Sequence, residues 1–263
     1  MTVPAHVAQG AGEPTLVFLH GVGGGHVAWQ DQLPYFAARG LRAVAWDQPG
    51  YGASPLVEPY DFEHVSDALR GLLEHLGGAP AVLVGHSMGG FVAQEAYARF
   101  PQLVRALVLA FTSPAFGGAG GDFQRAFIAD RIGPLDAGHT MADIAARLMP
   151  GMRGATSKPG GLQHAERVMA GVPPATYRKA VALLTTFDRR AMLPGIAVPT
   201  LLVAGAEDRT APAAVMQRMA QKIPGAEYAL LAGCGHLGPM DQPEEFNHVL
   251  EDFLERRILQ GKR

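Results

Sequence analysis

Cysteine is nearly absent from this chain. Cys234 is the only one in 263 residues. No internal disulfide can form, and a reducing, cytoplasmic setting is the expected one. An excess of charge of either sign is lacking too. Lysine and arginine number 22 against 24 aspartates and glutamates, a formal net charge of −2. That balance gives no basis for general attraction to nucleic acid or to an anionic membrane. No apolar run is long enough to cross a bilayer. No internal repeat is visible, and the first residues, Met1 to His6, lack the basic and then apolar segments of a signal peptide. His20, His26 and His236 are not spaced as zinc ligands, so neither a metal nor another cofactor is expected. The length suits one large core with room for an inserted subdomain. A monomer or a small homo-oligomer is expected.

What is present is alternation. Thr15-Leu16-Val17-Phe18-Leu19 reads as a buried strand and stops at His20-Gly21-Val22-Gly23-Gly24-Gly25. A helix is predicted over 29–38, a strand over 41–46, then a turn-rich loop from Asp47 to Ser54. Val65, Leu69, Leu72, Leu73 and Leu76 stand at helical spacing in 62–76. Strands are predicted over 81–84, 104–110, 198–204 and 227–231, with helices over 212–222 and 243–259. Near-continuous apolar strands alternating with helices imply a mainly parallel sheet covered on both faces. With only about 14 residues ahead of the first clear strand, seven strands are as consistent as eight.

The alternation breaks between about 112 and 194. Helical segments are predicted near 123–131, 141–149, 163–170 and 175–187, with glycine-rich joints at 117–121 and 150–161 and no convincing strand. The expected organisation is a core from 1–111 and 195–263 and a helical cap inserted at 112–194.

The chemistry centres on Gly85-His86-Ser87-Met88-Gly89. Gly-x-Ser-x-Gly alone is a weak signal, and an ordinary turn serine satisfies it. Here a strand precedes it and a helix follows. That context puts a serine on a sharp turn with its hydroxyl clear of the sheet, and the flanking glycines remove Cβ atoms where strand and helix crowd. Asp208 and His236 also follow predicted strands. In a parallel sheet those ends share one edge. A serine hydroxyl needs a base at neutral pH, and an imidazole, titrating at about 6.5 when unperturbed, suits the task. An aspartate then holds the imidazole tautomer. Glu207 is the rival acid. The oxyanion hole needs two backbone N–H groups. Met88 after the serine supplies one, and the loop after the first strand supplies the other, at Val22. That loop lacks the lysine of a Walker motif and the spacing of a dinucleotide fingerprint. His86 is expected to pack, pointing away from the reaction. Trp29 is read as packing and Cys234 as an unreactive loop residue.

Taken in order, His20-Gly21-x-Gly23, Asp47-x-x-Gly50-x-Gly52-x-Ser54, Gly85-His86-Ser87-Met88-Gly89-Gly90, Gly205-Ala206-Glu207-Asp208 and Gly235-His236 resemble the α/β-hydrolase superfamily over nearly the whole chain outside the cap. The resemblance implies an α/β-hydrolase fold with Ser87 as nucleophile, Asp208 as acid, His236 as base and the amides of Val22 and Met88 as oxyanion donors. Asp47 is expected to order its loop. The C-terminal stretch from Ile223 to Leu237 is similar to 3-oxoadipate enol-lactonases and small bacterial carboxylesterases. The expected reaction is hydrolysis of a small-molecule carboxylic ester or lactone. Aspartate at position 87 would have meant a dehalogenase or epoxide hydrolase. Carbon–carbon hydrolysis of a vinylogous diketone uses the same three residues and remains the alternative, with a hydrolase-like ligand receptor behind it.

Specificity is expected to come from the cap. Ten Lys/Arg and six Asp/Glu between 112 and 194 give +4, which leaves −6 for the rest. That hints at an anionic or polar substrate. Phe123, Phe127, Met149, Met152, Tyr177 and Phe187 are equally available to line an apolar pocket. Gly21, Phe127, Met152, Tyr177 and Leu237 are the expected substrate contacts.

Overall fold

The computed structural model describes residues 2–118 and 121–260. Ala119 and Gly120, in the middle of one expected glycine-rich joint, lie outside the described residues. Seven strands form one sheet in the order β1-β3-β2-β4-β5-β6-β7. They are β1 (His6–Gln9), β2 (Thr15–Leu19), β3 (Arg42–Trp46), β4 (Ala81–His86), β5 (Val104–Ala110), β6 (Thr200–Gly205) and β7 (Glu227–Leu231). Every pairing is parallel except that of β1 with β3. Every residue of β2, β4 and β6 is buried, as a strand covered on both faces requires. This is the α/β-hydrolase fold, with one antiparallel edge strand. The expected sequence pattern did not reveal β1, because it is a four-residue edge whose last three residues are exposed.

Strand order reverses at β2. The chain leaves β2 for β3 on one side, then returns to β4 on the other. Ligands in open α/β sheets bind beside such a reversal, outside the carboxyl ends of the strands. The loops after β2 and β4 meet there, and they carry Gly21-Val22 and Ser87.

Helices cover the sheet: α1 (Gln32–Ala37), α2 (Phe62–His75), α3 (Met88–Arg99), α4 (Asp122–Asp136), α5 (Met141–Met152), α6 (Pro159–Ala170), α7 (Pro174–Leu184), α8 (Ala213–Ala220), α9 (Gly238–Asp241) and α10 (Pro243–Arg257). The helix expected over 29–38 is instead a 3-10 turn, His26–Trp29, followed by α1. The leucine face of α2 is buried, and the Asp61 carboxylate caps it by accepting from the His64 amide at 2.8 Å. Four helices, α4 to α7, stand between β5 and β6. Among the described residues of that stretch only an isolated bridge, Ala115 to Asp188, has strand character. The stretch is fastened to the sheet layer at several points. Arg189 donates twice to the buried Glu95 carboxylate, at 2.7 and 2.8 Å. Phe187 stacks on Phe91 at 4.2 Å. Buried Asp241 accepts from the Lys158 amide at 2.7 Å and from the Ser157 hydroxyl.

Candidate active site

Ser87 ends β4 and opens α3 with φ 53° and ψ −117°. A non-glycine residue in that region is strained, and it persists only where its surroundings over-determine it. Here they do. The Ser87 amide donates to the Ala110 carbonyl at 2.9 Å, and the Ser87 carbonyl accepts from the Thr112 hydroxyl at 2.8 Å and the Gly90 amide at 2.9 Å. Space for the turn comes from glycine. A Cβ on Gly85 would stand 2.4 Å from the Gly89 carbonyl oxygen, and one on Gly89 only 2.0 Å from that of Leu19. Strand and helix approach so closely that neither position admits a side chain.

Behind the serine lies a continuous relay. His236 Nε2 is 3.1 Å from Ser87 Oγ, and His236 Nδ1 is 2.8 Å from Asp208 Oδ2. The other carboxylate oxygen of Asp208 accepts from the amides of Thr210 at 2.7 Å and Ala211 at 2.9 Å. Burial alone would raise the Asp208 carboxyl. The imidazole of His236, its hydrogen bond and the two amides outweigh that and hold the group below its ordinary value. An ionised carboxylate only accepts. The proton therefore sits on Nδ1, and Nε2 presents its lone pair to the serine hydroxyl. Glu207, the rival acid, is exposed and accepts from the Ala155 amide instead.

The Met88 amide follows this serine directly in the chain, and the Val22 amide belongs to a residue lining the same cavity. Neither donates a hydrogen bond to another group among the described residues. Met88 is the first residue of α3, where the helix leaves its N–H groups unpaired and favours negative charge. The Val22 amide is aimed by the other end of its peptide. The Gly21 carbonyl accepts from His20 Nδ1 at 2.8 Å and from the Gly24 amide at 2.9 Å. His20 Nε2 accepts from the Gln48 amide at 3.0 Å, which puts the ring proton on Nδ1. A trans peptide directs its N–H opposite its C=O, so the Val22 N–H faces away from His20. Burial drops the His20 pKa to about 4 and keeps the ring neutral.

A cavity of about 100 Å³ opens over Ser87 and His236. Gly21, Val22, Phe127, Met152, Tyr177 and Leu237, each expected at the site from sequence, all line it. Met149 lines it too. Two aromatic candidates do not. Phe123 is exposed and meets the Phe116 ring, and Phe187 is consumed by its stack on Phe91. Further lining residues were missed, among them Met169, Val181, Leu184 and Arg131. Arg131 stands one turn beyond Phe127 on α4, and that i, i+4 relation is the signal that could have found it.

His86 departs from expectation in direction. Its ring packs against Trp29 and Phe111, as a structural residue would, but its Nε2 also donates to the His236 carbonyl at 2.8 Å. It therefore supports the loop that carries the imidazole. Burial, reinforced by the neighbouring His236, lowers its pKa to about 3. Trp29 is buried against Phe18 and Phe246. Burial pushes the Cys234 thiol up to about 12, which leaves it unreactive. Asp47 orders its loop by accepting from the His26 amide and ring, at 2.8 and 2.9 Å. Among the described residues no cluster of three or more His, Cys, Asp or Glu could hold a metal ion. No helix among them is long and apolar enough to cross a membrane.

Fold and site together define a hydrolase of the α/β class. The chain belongs to the alpha/beta hydrolase family, whose model matches residues 16–249. It is 32% identical to a pimeloyl-acyl-carrier-protein methyl ester esterase of Aromatoleum aromaticum, over 92% of this chain and 98% of that protein. It is 28% identical to 3-oxoadipate enol-lactonase 2 of Acinetobacter baylyi, over 94% and 90%. The solved esterase of Thermogutta terrifontis superposes with a TM-score of 0.85 at 26% identity, covering 96% of this chain and 93% of that one. Relatives of similar coverage also bear the names of carbamate hydrolase and non-heme bromoperoxidase, so the family does not by itself fix the bond that is cleaved.

Proposed function

We propose that the chain is a serine hydrolase that cleaves a small carboxylic ester or lactone through an acyl-enzyme. The observation that carries this reading is the unbroken relay from Asp208 through His236 to Ser87, ending in the floor of the cavity. Ser87 Oγ attacks the carbonyl carbon while His236 Nε2 takes its proton. The carbonyl oxygen becomes an oxyanion and is met by the Val22 and Met88 amides. His236 returns the proton to the leaving alkoxide. A water, deprotonated by the same nitrogen, then releases the acid and regenerates Ser87. Asp208 keeps Nδ1 protonated and stabilises the imidazolium. Every group called upon belongs to this chain. The insert 112–194 acts as a cap, since α4 to α7 supply much of the cavity wall. The methyl ester esterase and the enol-lactonase among the relatives support esters and lactones as the substrate class.

Rapid-mixing kinetics with 4-nitrophenyl acetate and butyrate test this. A burst of nitrophenolate close to one equivalent, followed by slower turnover, is expected of the wild type. Ser87→Ala is expected to show no burst and a kcat lower by at least about 10⁴-fold. Turnover that survives in Ser87→Ala would overturn the reading.

A further inference from the structure

Arg131 is out of place in its surroundings. The cavity walls are largely leucine, methionine, valine and aromatic carbon, and among the described residues none that lines it is acidic. Into this wall α4 brings a guanidinium whose side chain is only 17% exposed. Its Nη1 is buried and has no hydrogen-bond partner among the described residues. Among the described residues the guanidinium is paired only with Asp130, whose carboxylate stands 3.6 Å from Nε, beyond hydrogen-bond length. That carboxylate is already held at 2.9 Å by Arg147, which also binds the Asp130 carbonyl. The Phe127 ring lies 5.2 Å from the Arg131 guanidinium carbon and steadies it.

Tyr177 lines the same cavity from α7. It is 1% exposed, and its hydroxyl has no hydrogen-bond partner among the described residues. Burial raises its pKa, and the positive charges of Arg131 and Arg147 counter that rise while Asp130 adds to it; the wall of one cavity is what the two groups share. The unpaired buried guanidinium N–H is costly, and the phenol O–H on the same cavity wall is free to donate. A carboxylate satisfies both at once, because it accepts at two oxygens and is the natural partner of the planar guanidinium fork.

We propose that Arg131 and Tyr177 bind a carboxylate carried by the substrate. The molecule cleaved is then a short ester or lactone of a dicarboxylic acid, with one acid group free. The small volume of the cavity sets the shortness. This inference rests on the reading of Ser87 as the ester-cleaving nucleophile, and its test has a part that does not.

The comparison is between mono-4-nitrophenyl succinate and 4-nitrophenyl butyrate, which differ by a carboxylate in place of a methyl group. Wild type is expected to favour the succinate ester by at least roughly 10-fold in kcat/KM. Arg131→Met is expected to cut that ratio by roughly 10- to 100-fold, chiefly through KM, with partial recovery in Arg131→Lys and a few-fold loss in Tyr177→Phe. Circular dichroism confirms that each variant is folded. In parallel, Ser87→Ala is titrated calorimetrically with succinate, with and without Arg131→Met. Binding that disappears with Arg131 supports the proposal even where neither ester is turned over. A ratio unchanged in Arg131→Met, a wild type that prefers butyrate, or no succinate binding to Ser87→Ala overturns it. Loss of turnover in Ser87→Ala with an unchanged Arg131→Met ratio would leave the hydrolase reading standing and remove this one.

Discussion

Asp208 acts by deciding where one proton sits. Its carboxylate takes three hydrogen bonds, two from amides and one from His236 Nδ1. Asp208→Asn keeps the shape but offers an N–H toward Nδ1, and the imidazole answers by moving its proton to Nε2, where it cannot accept from serine. A fall in kcat of about 10⁴-fold is expected, with KM little changed. His20 is a second residue of this kind, acting through a peptide rather than on the substrate. Removing its bond to the Gly21 carbonyl frees the Val22 amide to turn. His20→Ala is therefore expected to lower kcat by roughly 10- to 100-fold at nearly constant KM, measured beside the wild type on one ester. A matching rise in KM would point to general damage instead. The candidate triad was legible in the sequence because each member follows a strand in the required chain order. The role of His20 was not. It depends on which atoms of the loop His20–Gly24 face each other, and no spacing rule encodes that.

At the scale of elements, the turn between β4 and α3 is governed by absent side chains. Gly89 lies against the Leu19 carbonyl at the end of β2, and Gly85 against the start of α3. Neither neighbour is a flexible side chain that can give way. Gly89→Ala is expected to yield insoluble or unfolded protein, or a folded one with the serine displaced and turnover lost. A soluble variant with wild-type turnover would contradict the close approach. The parallel strands could be read in advance, since burial on both faces leaves near-continuous apolar runs in β2, β4 and β6, and in β5 after the exposed Arg105. β1 escaped notice because an exposed edge imposes no such pattern. The helices of the insert were placed but their ends were not. α4 runs on to Asp136 through Pro134, and α5 to Met152 through Pro150, where proline would be read as a stop.

For the molecule as a whole, two buried histidines tie stability to pH. His20 and His86 titrate at about 4 and about 3 in the folded chain, against about 6.5 in an unfolded one. Their folded pKa values are depressed, so the stability they contribute is fully present above about 6.5. It is lost progressively as pH falls toward 4 and then 3, because only the unfolded chain takes up the protons. Asp208, with its lowered carboxyl, adds a loss in the same direction at still lower pH. Urea unfolding between pH 7.5 and 4.5 is expected to show stability falling by up to roughly 1.4 kcal/mol per pH unit for each histidine. His86→Gln is expected to flatten the slope. A stability independent of pH across that range would contradict the burial of both rings. Chain-scale organisation was the most legible part: a sheet interrupted by a helical stretch between β5 and β6. The charge count of that stretch hinted at an anion, yet +4 spread over a surface points nowhere. The arginine that faces the cavity is a matter of side-chain direction on α4.

The acyl-enzyme itself is the most direct object to measure. Wild type mixed with 4-nitrophenyl acetate, quenched in acid within the burst and digested, should carry an acetyl group on the peptide containing Ser87, and Ser87→Ala should carry none. An acetyl group on another residue, or rapid turnover with no acylated peptide, would contradict the assignment of Ser87 as nucleophile.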